Sequence, residues 1–117
     1  MDFDVTTERL GEAQAVISPV GELDLYTAPE LKQELLDAIL GGVTEIVVDL
    51  TRTTFIDSAT LGVLVGAVRR LRERDGKLSI VCGDRSIRKI FEITGLDRVL
   101  TIHGTRDEAL GGGESAG

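Results

Sequence analysis

The stretch Phe55-Ile56-Asp57-Ser58-Ala59-Thr60-Leu61-Gly62 decides the fold because it joins two segments with different hydrophobic patterns. The segment before it, Glu45–Leu50, is a short apolar run rich in β-branched residues, which is typical of a buried parallel strand. The segment after it has the spacing of an amphipathic helix, with apolar residues at Leu61, Leu64, Val65, Val68 and Leu71. Asp57 and Ser58 are therefore predicted on a loop that enters a helix from the carboxyl end of a central strand, where open α/β sheets place functional groups.

Two interpretations of Ser58 follow from this position. As an N-cap, Ser58 would close the first turn of the helix and contribute about 1 kcal/mol. As a phosphate acceptor, it would carry the anion at a helix N-terminus, beside the negative charge of Asp57. No nucleophile elbow surrounds Ser58, and the only histidine, His103, lies far along the chain. Ser58 is therefore expected to be the substrate of another enzyme rather than a catalytic nucleophile.

Length and composition indicate one small domain with an aliphatic core. The chain has 117 residues, of which 42% are hydrophobic and only 3% aromatic. The formal net charge of -7 argues against direct nucleic-acid binding, which needs clustered cations. The single cysteine, Cys82, excludes an internal disulfide and a cysteine-based zinc cluster, and no cofactor is predicted.

Nothing in the chain predicts a membrane span or a secretory signal. The longest apolar run, Leu61–Val68, is much shorter than the ~20 residues that a spanning helix requires. The first residues lack the basic and apolar regions of a signal peptide. We expect a cytoplasmic protein with no membrane association.

The amino-terminal part predicts a hairpin followed by a helix. Alternating residues from Phe3 to Thr7 and a second run over Ala13–Val20 flank a turn at Gly11-Glu12. Thr27-Ala28-Pro29-Glu30 has the pattern of a capping box at the start of a helix that Gly41-Gly42 ends. Asp24, just before this box, is predicted to be a loop or capping residue.

Two glycines stand four residues apart in the helix that follows Ser58. Gly62 and Gly66 lie on the same side of that helix, and each costs about 1 kcal/mol relative to alanine. Close packing within the fold and close packing against a partner both explain them, and the sequence leaves the two open. Four arginines near the end of the same helix complement its dipole, with a basic binding patch as the alternative: Arg69, Arg70, Arg72 and Arg74.

The carboxyl-terminal part predicts two more strands and two more helices. A strand over Lys77–Gly83 contains Cys82 as a small core residue, and Ser86 caps the next helix. Gly95 ends that helix in the left-handed conformation, and Asp97–Ile102 forms a short strand. A second capping box, Thr105-Arg106-Asp107-Glu108, starts a last helical turn. The predicted domain covers residues 1–110, and residues 111–117 are predicted to be a flexible tail.

Together these elements predict an α/β fold with an amino-terminal hairpin. The sheet is expected to be mixed but mostly parallel, with four to five strands and about four helices. Four motifs then occur in a fixed order: Gly21-Glu22-Leu23-Asp24, Val48-Asp49-Leu50, Phe55-Ile56-Asp57-Ser58 and Thr94-Gly95-Leu96-Asp97. In this combination the chain resembles the bacterial anti-sigma factor antagonists, which are single STAS domains, from about Phe3 to Leu110.

The resemblance implies a partner-switching protein without catalytic activity. It implies that the unphosphorylated form binds an anti-sigma factor that is a Ser/Thr kinase, and so frees the sigma factor. That kinase would phosphorylate Ser58, and a PP2C-type phosphatase would restore the serine. The resemblance further implies that Asp24 lies near Ser58, and that partners contact a surface made by Asp24, Asp57, Ser58, Ala59, Thr60 and Gly62.

One position departs from the family pattern. Members of the family often have a glycine two residues after the serine, where this chain has Thr60. The difference leaves three consequences open: an altered first helical turn, slower phosphorylation, or a second phosphate acceptor at Thr60.

Three other functions are alternatives to this one. A two-component receiver needs an acidic pair after its first strand, and the acids at strand ends here are isolated. Nucleotide hydrolysis lacks a P-loop and a metal-ligand cluster. A STAS subunit of a stress-sensing or lipid-transport assembly would have the same fold, with a serine that is never phosphorylated.

Overall fold

The computed structural model describes residues 3–111, in which the chain forms six strands and four α-helices. The elements in chain order are β1 (Asp4–Leu10), β2 (Gln14–Leu23), α1 (Ala28–Leu40), β3 (Glu45–Asp49), β4 (Thr53–Ile56), α2 (Ser58–Arg72), β5 (Lys77–Val81), α3 (Arg85–Ile93), β6 (Thr101–His103) and α4 (Arg106–Ala109). A 3-10 turn over Leu96–Arg98 precedes β6.

The sheet is mixed and mostly parallel, as predicted, and it begins with an antiparallel hairpin. Within residues 3–111 the strand order is β1-β2-β3-β5-β6, and only β1 and β2 pair antiparallel. The sixth strand, β4, pairs in parallel with the end of β2 after a register shift between Gly21 and Glu22. The sequence predicted four to five strands because β4 has only four residues and depends on this distant partner.

The two faces of the sheet are covered unequally. Alternation along β2 turns Ala15 and Ile17 toward α1, α2 and α3, where the largest buried side chain, Phe91, also lies. Val16 points to the opposite face, where Val47 and Val81 pack against Ala109 and Leu110 beside α4. The main core is aliphatic, as the composition predicted, and it includes the fully buried Cys82.

Arg106 fastens α4 to the second face of the sheet. Its Nε atom donates to Oδ2 of Asp49 at 3.0 Å, and its Nη2 atom lies 3.0 Å from the same oxygen in an ion pair. Nη2 donates to Oγ of Ser18 at 3.1 Å. Burial alone raises the pKa of Asp49, but hydrogen bonds from Thr51 and the guanidinium of Arg106 outweigh it and lower that pKa.

Several helix ends differ from the predictions. Thr27 forms no capping box, because its hydroxyl donates to the Glu22 carbonyl (2.7 Å). The cap of α3 is Asp84 rather than Ser86, since Oδ1 of Asp84 accepts from the backbone N–H of Ser86 at 2.8 Å. The predicted cap at Thr105 is confirmed.

The carboxyl-terminal turns agree in part with the predictions. Gly95 has φ 77°, so its prediction as a left-handed terminator is confirmed. The strand predicted over Asp97–Ile102 begins only at Thr101, because the 3-10 turn takes up the residues before it. Gly111, which was predicted as part of the tail, donates its N–H to the carbonyl of Glu108 at the end of α4. The remainder of the predicted tail lies outside the described residues.

Candidate functional site

The ends of β2 and β4 bring Asp24 and Asp57 to the same edge of the sheet. Leu23 pairs with Ile56 in parallel register, so each aspartate is the first residue after a paired strand end. The chain then enters α1 after Asp24 and α2 after Asp57. Asp57 therefore follows β4, and not the central strand β3 as the sequence had predicted.

Asp57, and not Ser58, is the N-cap of α2. Its backbone is extended, and its Oδ1 atom accepts from the backbone N–H of Thr60 at 3.1 Å. The interpretation of Ser58 as an N-cap is therefore wrong, because its neighbour occupies that position. Ser58 is the first helical residue and is exposed, and its Oγ atom makes no hydrogen bond to any residue in the range 3–111.

Thr60 is a buried residue whose hydroxyl forms a hydrogen bond between two segments of the fold; this hydrogen bond is called the Thr60 tie below. Its side chain is 0% exposed, and its hydroxyl donates to the carbonyl of Leu23 at 3.0 Å. Burial removes the hydroxyl from any kinase, so a second phosphate acceptor at Thr60 is ruled out in this structure. Thr60, predicted as a partner contact, therefore offers no exposed surface in this structure. The hydroxyl instead links the end of β2, next to Asp24, to the first turn of α2.

Asp24 organises the loop between β2 and α1. Its Oδ1 atom accepts from the backbone N–H groups of Tyr26 (2.9 Å) and Thr27 (3.0 Å). The hydrogen bond from Thr27 lowers the pKa of Asp24 most, and the bond from Tyr26 adds to it, so the carboxylate is held ionised. Asp24 is thus the loop residue that the sequence predicted, and its charge lies at the same edge as Asp57.

Three large apolar side chains that the sequence analysis missed are exposed at this edge. Tyr26 is 85% exposed, Leu25 66% and Phe55 48%. Glu22 pairs with Phe55 across β2 and β4, so Phe55 lies beside the strand that leads into the Leu25-Tyr26 loop. Exposed aromatic residues are typical of protein interfaces. The sequence offered one signal for this surface, because Leu25 and Tyr26 are large apolar residues in a loop and belong to no helical or strand-like apolar pattern.

The two glycines of α2 do not serve close packing within the fold. A Cβ atom on Gly62 would meet nothing within 4 Å, and one on Gly66 would meet only the guanidinium of Arg70, at 3.3 Å. Of the two explanations left open by the sequence, packing inside the fold is therefore wrong for the described residues. Both glycines line a groove between α1 and α2.

Residues 3–111 contain neither a membrane-spanning helix nor a cluster of metal ligands. None of the helices there is both long and apolar enough to cross a membrane. Within the same residues, no group of three histidine, cysteine, aspartate or glutamate side chains lies close enough together to bind a metal ion.

The hairpin, the mostly parallel sheet and the exposed serine at the start of α2 agree with the STAS fold predicted above. The chain belongs to the STAS domain family, which matches residues 4–109. It is 38% identical over 83 residues to the anti-sigma-B factor antagonist of Staphylococcus aureus strain NCTC 8325, covering 71% of this chain and 77% of that protein.

Three solved structures have the same fold. An anti-sigma factor antagonist from Mycobacterium paratuberculosis superposes with a TM-score of 0.84 and 28% identity, over 93% of this chain and 92% of the other. The antagonist SpoIIAA in its unphosphorylated form superposes with a TM-score of 0.82 and 26% identity, over 96% of this chain and 97% of the other. SpoIIAA of Bacillus in its phosphorylated form superposes with a TM-score of 0.73 and 28% identity, over 92% of this chain and 96% of the other.

Proposed function

We propose that this protein is an anti-sigma factor antagonist that is switched by phosphorylation of Ser58. In its unphosphorylated form it binds an anti-sigma Ser/Thr kinase and thereby frees a sigma factor. The kinase transfers phosphate to Ser58 and the complex separates, and a PP2C-type phosphatase then restores the serine. The chemistry belongs to these partners, in the cytoplasm, and the protein itself has no catalytic role.

The observation that carries the proposal is the exposure of Ser58 at the start of α2. Its hydroxyl is free of hydrogen bonds within the described residues, so a kinase can reach it without unfolding the helix. The names of the relatives support the antagonist function, and a SpoIIAA structure in the phosphorylated form supports the modification.

Electrostatics explain how the modification would release the partner. A phosphate adds about -1.5 to -2 charges at pH 7. A unit charge about 5 Å from the carboxylate of Asp57, at an effective dielectric constant near 20, is repelled by roughly 3 kcal/mol, an upper figure at a wet surface. The N–H groups at the start of α2 offset part of this repulsion. An acidic group on the partner would be repelled in the same way, and about 3 kcal/mol weakens an interface more than a hundredfold.

The proposed contact surface surrounds Ser58 at this edge of the sheet. It includes Asp24, Asp57, Ser58, Ala59 and Gly62, but not the buried Thr60. We add the exposed apolar residues Leu25, Tyr26 and Phe55, because large apolar side chains near a charged rim are typical centres of binding energy.

The test is phosphorylation by the anti-sigma kinase of the same genome. Incubation with this kinase and ATP should add one phosphate, which peptide mass spectrometry should place on Ser58. Ser58→Ala should bind the kinase and accept no phosphate, because only the hydroxyl is removed. A STAS subunit that is not regulated by phosphorylation would remain unmodified and would not bind the kinase.

A further inference from the structure

A groove next to Ser58 runs between α1 and α2. Its volume is about 240 Å³, and its apolar lining includes Leu35, Ile39 and Val63. Ala59, the residue that follows Ser58, lines it as well. The groove is therefore continuous with the surface that carries the proposed phosphorylation site.

The groove exposes the helix backbone at Gly62, while at Gly66 Nη1 of Arg70 donates to the backbone carbonyl at 3.4 Å. Gly62 and Gly66 both line it, and each lowers the stability of α2 by about 1 kcal/mol relative to alanine. No neighbour in the fold requires a glycine at position 62, since a Cβ atom there would stand in open space. Because Gly62 has no side chain, a group outside the fold can approach the backbone of α2 closely at that position.

Two cations line the groove from opposite helices. Lys32 lies on α1 and Arg70 on α2, and both are exposed. Neither belongs to the ion pairs found within residues 3–111, which join Lys77 to Glu45 and Arg106 to Glu8 and Asp49. In a chain with a net charge of -7, this is a local positive site that an acidic occupant would neutralise.

We propose that the groove receives an amphipathic helix of the anti-sigma kinase. The helix would place small or apolar residues against Gly62 and Gly66 and carboxylates toward Lys32 and Arg70, in the helix-in-groove mode of recognition. This proposal rests on the proposed function and deepens it. Because Ala59 also lines the groove, a helix that fills it reaches the residue next to Ser58, where a phosphate would meet it.

The test compares groove variants with matched variants elsewhere on α2. Gly62→Leu fills the groove with a side chain that meets no neighbour, and Arg70→Glu reverses a charge on its wall. Arg72 is exposed on the same helix and does not line the groove, so Arg72→Leu and Arg72→Glu are the controls. The affinity of each unphosphorylated variant for the purified kinase is measured by titration calorimetry, and thermal unfolding checks the fold.

Gly62→Leu and Arg70→Glu should each weaken kinase binding at least about tenfold, while the Arg72 variants bind nearly as the wild type does. The melting temperature of Gly62→Leu should not fall, because leucine favours helix over glycine. Wild-type affinity in both groove variants would overturn the proposal. It would also be overturned if Gly62→Leu bound the kinase normally and instead abolished self-association in sedimentation, which would assign the groove to a second copy.

Failure of the proposed function would look different. If the unmodified wild-type protein does not bind the kinase at all, the proposed function is wrong and the groove proposal falls with it. If the wild type binds and both groove variants bind equally well, only the assignment of the groove is wrong.

Discussion

At the scale of single residues, Thr60 couples the two loops of the site. Its buried hydroxyl donates to Leu23, the residue before Asp24, while its N–H donates to the cap residue Asp57. One threonine thus connects the loop that presents Asp24 to the helix that presents Ser58. Where the family often has glycine, this chain has an added tie.

Thr60→Val tests this tie. Valine keeps the shape and removes the hydroxyl, which leaves the carbonyl of Leu23 without its donor, at a cost of about 1 to 3 kcal/mol. We expect lower stability in urea unfolding and weaker binding to the kinase, because the Asp24 loop loses its connection to α2. Thr60→Ser, which keeps the hydroxyl, is the control for the effect on kinase binding. Equal kinase binding by the valine and serine variants would show that the tie serves stability alone.

At the scale of elements, Gly95 ends α3 by adopting a left-handed conformation. Its φ of 77° lets Leu96 turn back and pack against the main core. The N–H of Gly95 donates to the carbonyl of Glu92, which satisfies an end of the helix.

Gly95→Ala should destabilise the protein by about 1 kcal/mol or slightly more, because an L side chain is strained in this conformation. The measurement is the melting temperature. Gly83→Ala is the matched control, since a Cβ atom at Gly83 also meets nothing within 4 Å and its φ is not positive. Equal melting temperatures for the two variants would contradict the placement of Gly95 as a terminator.

Local sequence predicts the features that are set within one element of this structure, but not those that depend on distant residues. The apolar runs and glycine stops predicted the hairpin, the long helices and the edge that carries Ser58, because those signals act within one element. Whether Asp57 or Ser58 caps α2 depends on where β4 ends, and β4 exists only through its pairing with Gly21–Leu23. The open space around Gly62 and the burial of Thr60 are likewise set by distant residues, so no local pattern indicates them.

At the scale of the whole molecule, the ion pair between Arg106 and Asp49 joins the last helix to a central strand. It connects residues 57 positions apart and closes the second face of the sheet over Val16, Val47 and Val81. The pKa of Asp49 is lower in the folded protein than its ordinary value, so protonation of this group favours the unfolded chain.

The sign of the pH dependence follows from that shift. The contribution of Asp49 to stability is complete above the ordinary aspartate pKa of about 3.9 and is lost as the pH falls through the lower folded-state pKa. Arg106→Gln removes a group that lowers this pKa. We expect the variant to be less stable near neutral pH and to lose less stability than the wild type on acidification, measured by urea unfolding. Parallel pH profiles for the two proteins would contradict this role for the pair.

In the proposed mechanism, a phosphate on Ser58 releases the kinase without any refolding of this protein. The most direct measurement is the affinity of the anti-sigma kinase for the unmodified protein and for the same protein phosphorylated stoichiometrically on Ser58. We predict that the phosphorylated form binds at least about a hundredfold more weakly, with an unchanged circular dichroism spectrum. Equal affinity of the two forms would contradict release of the kinase by phosphorylation of Ser58.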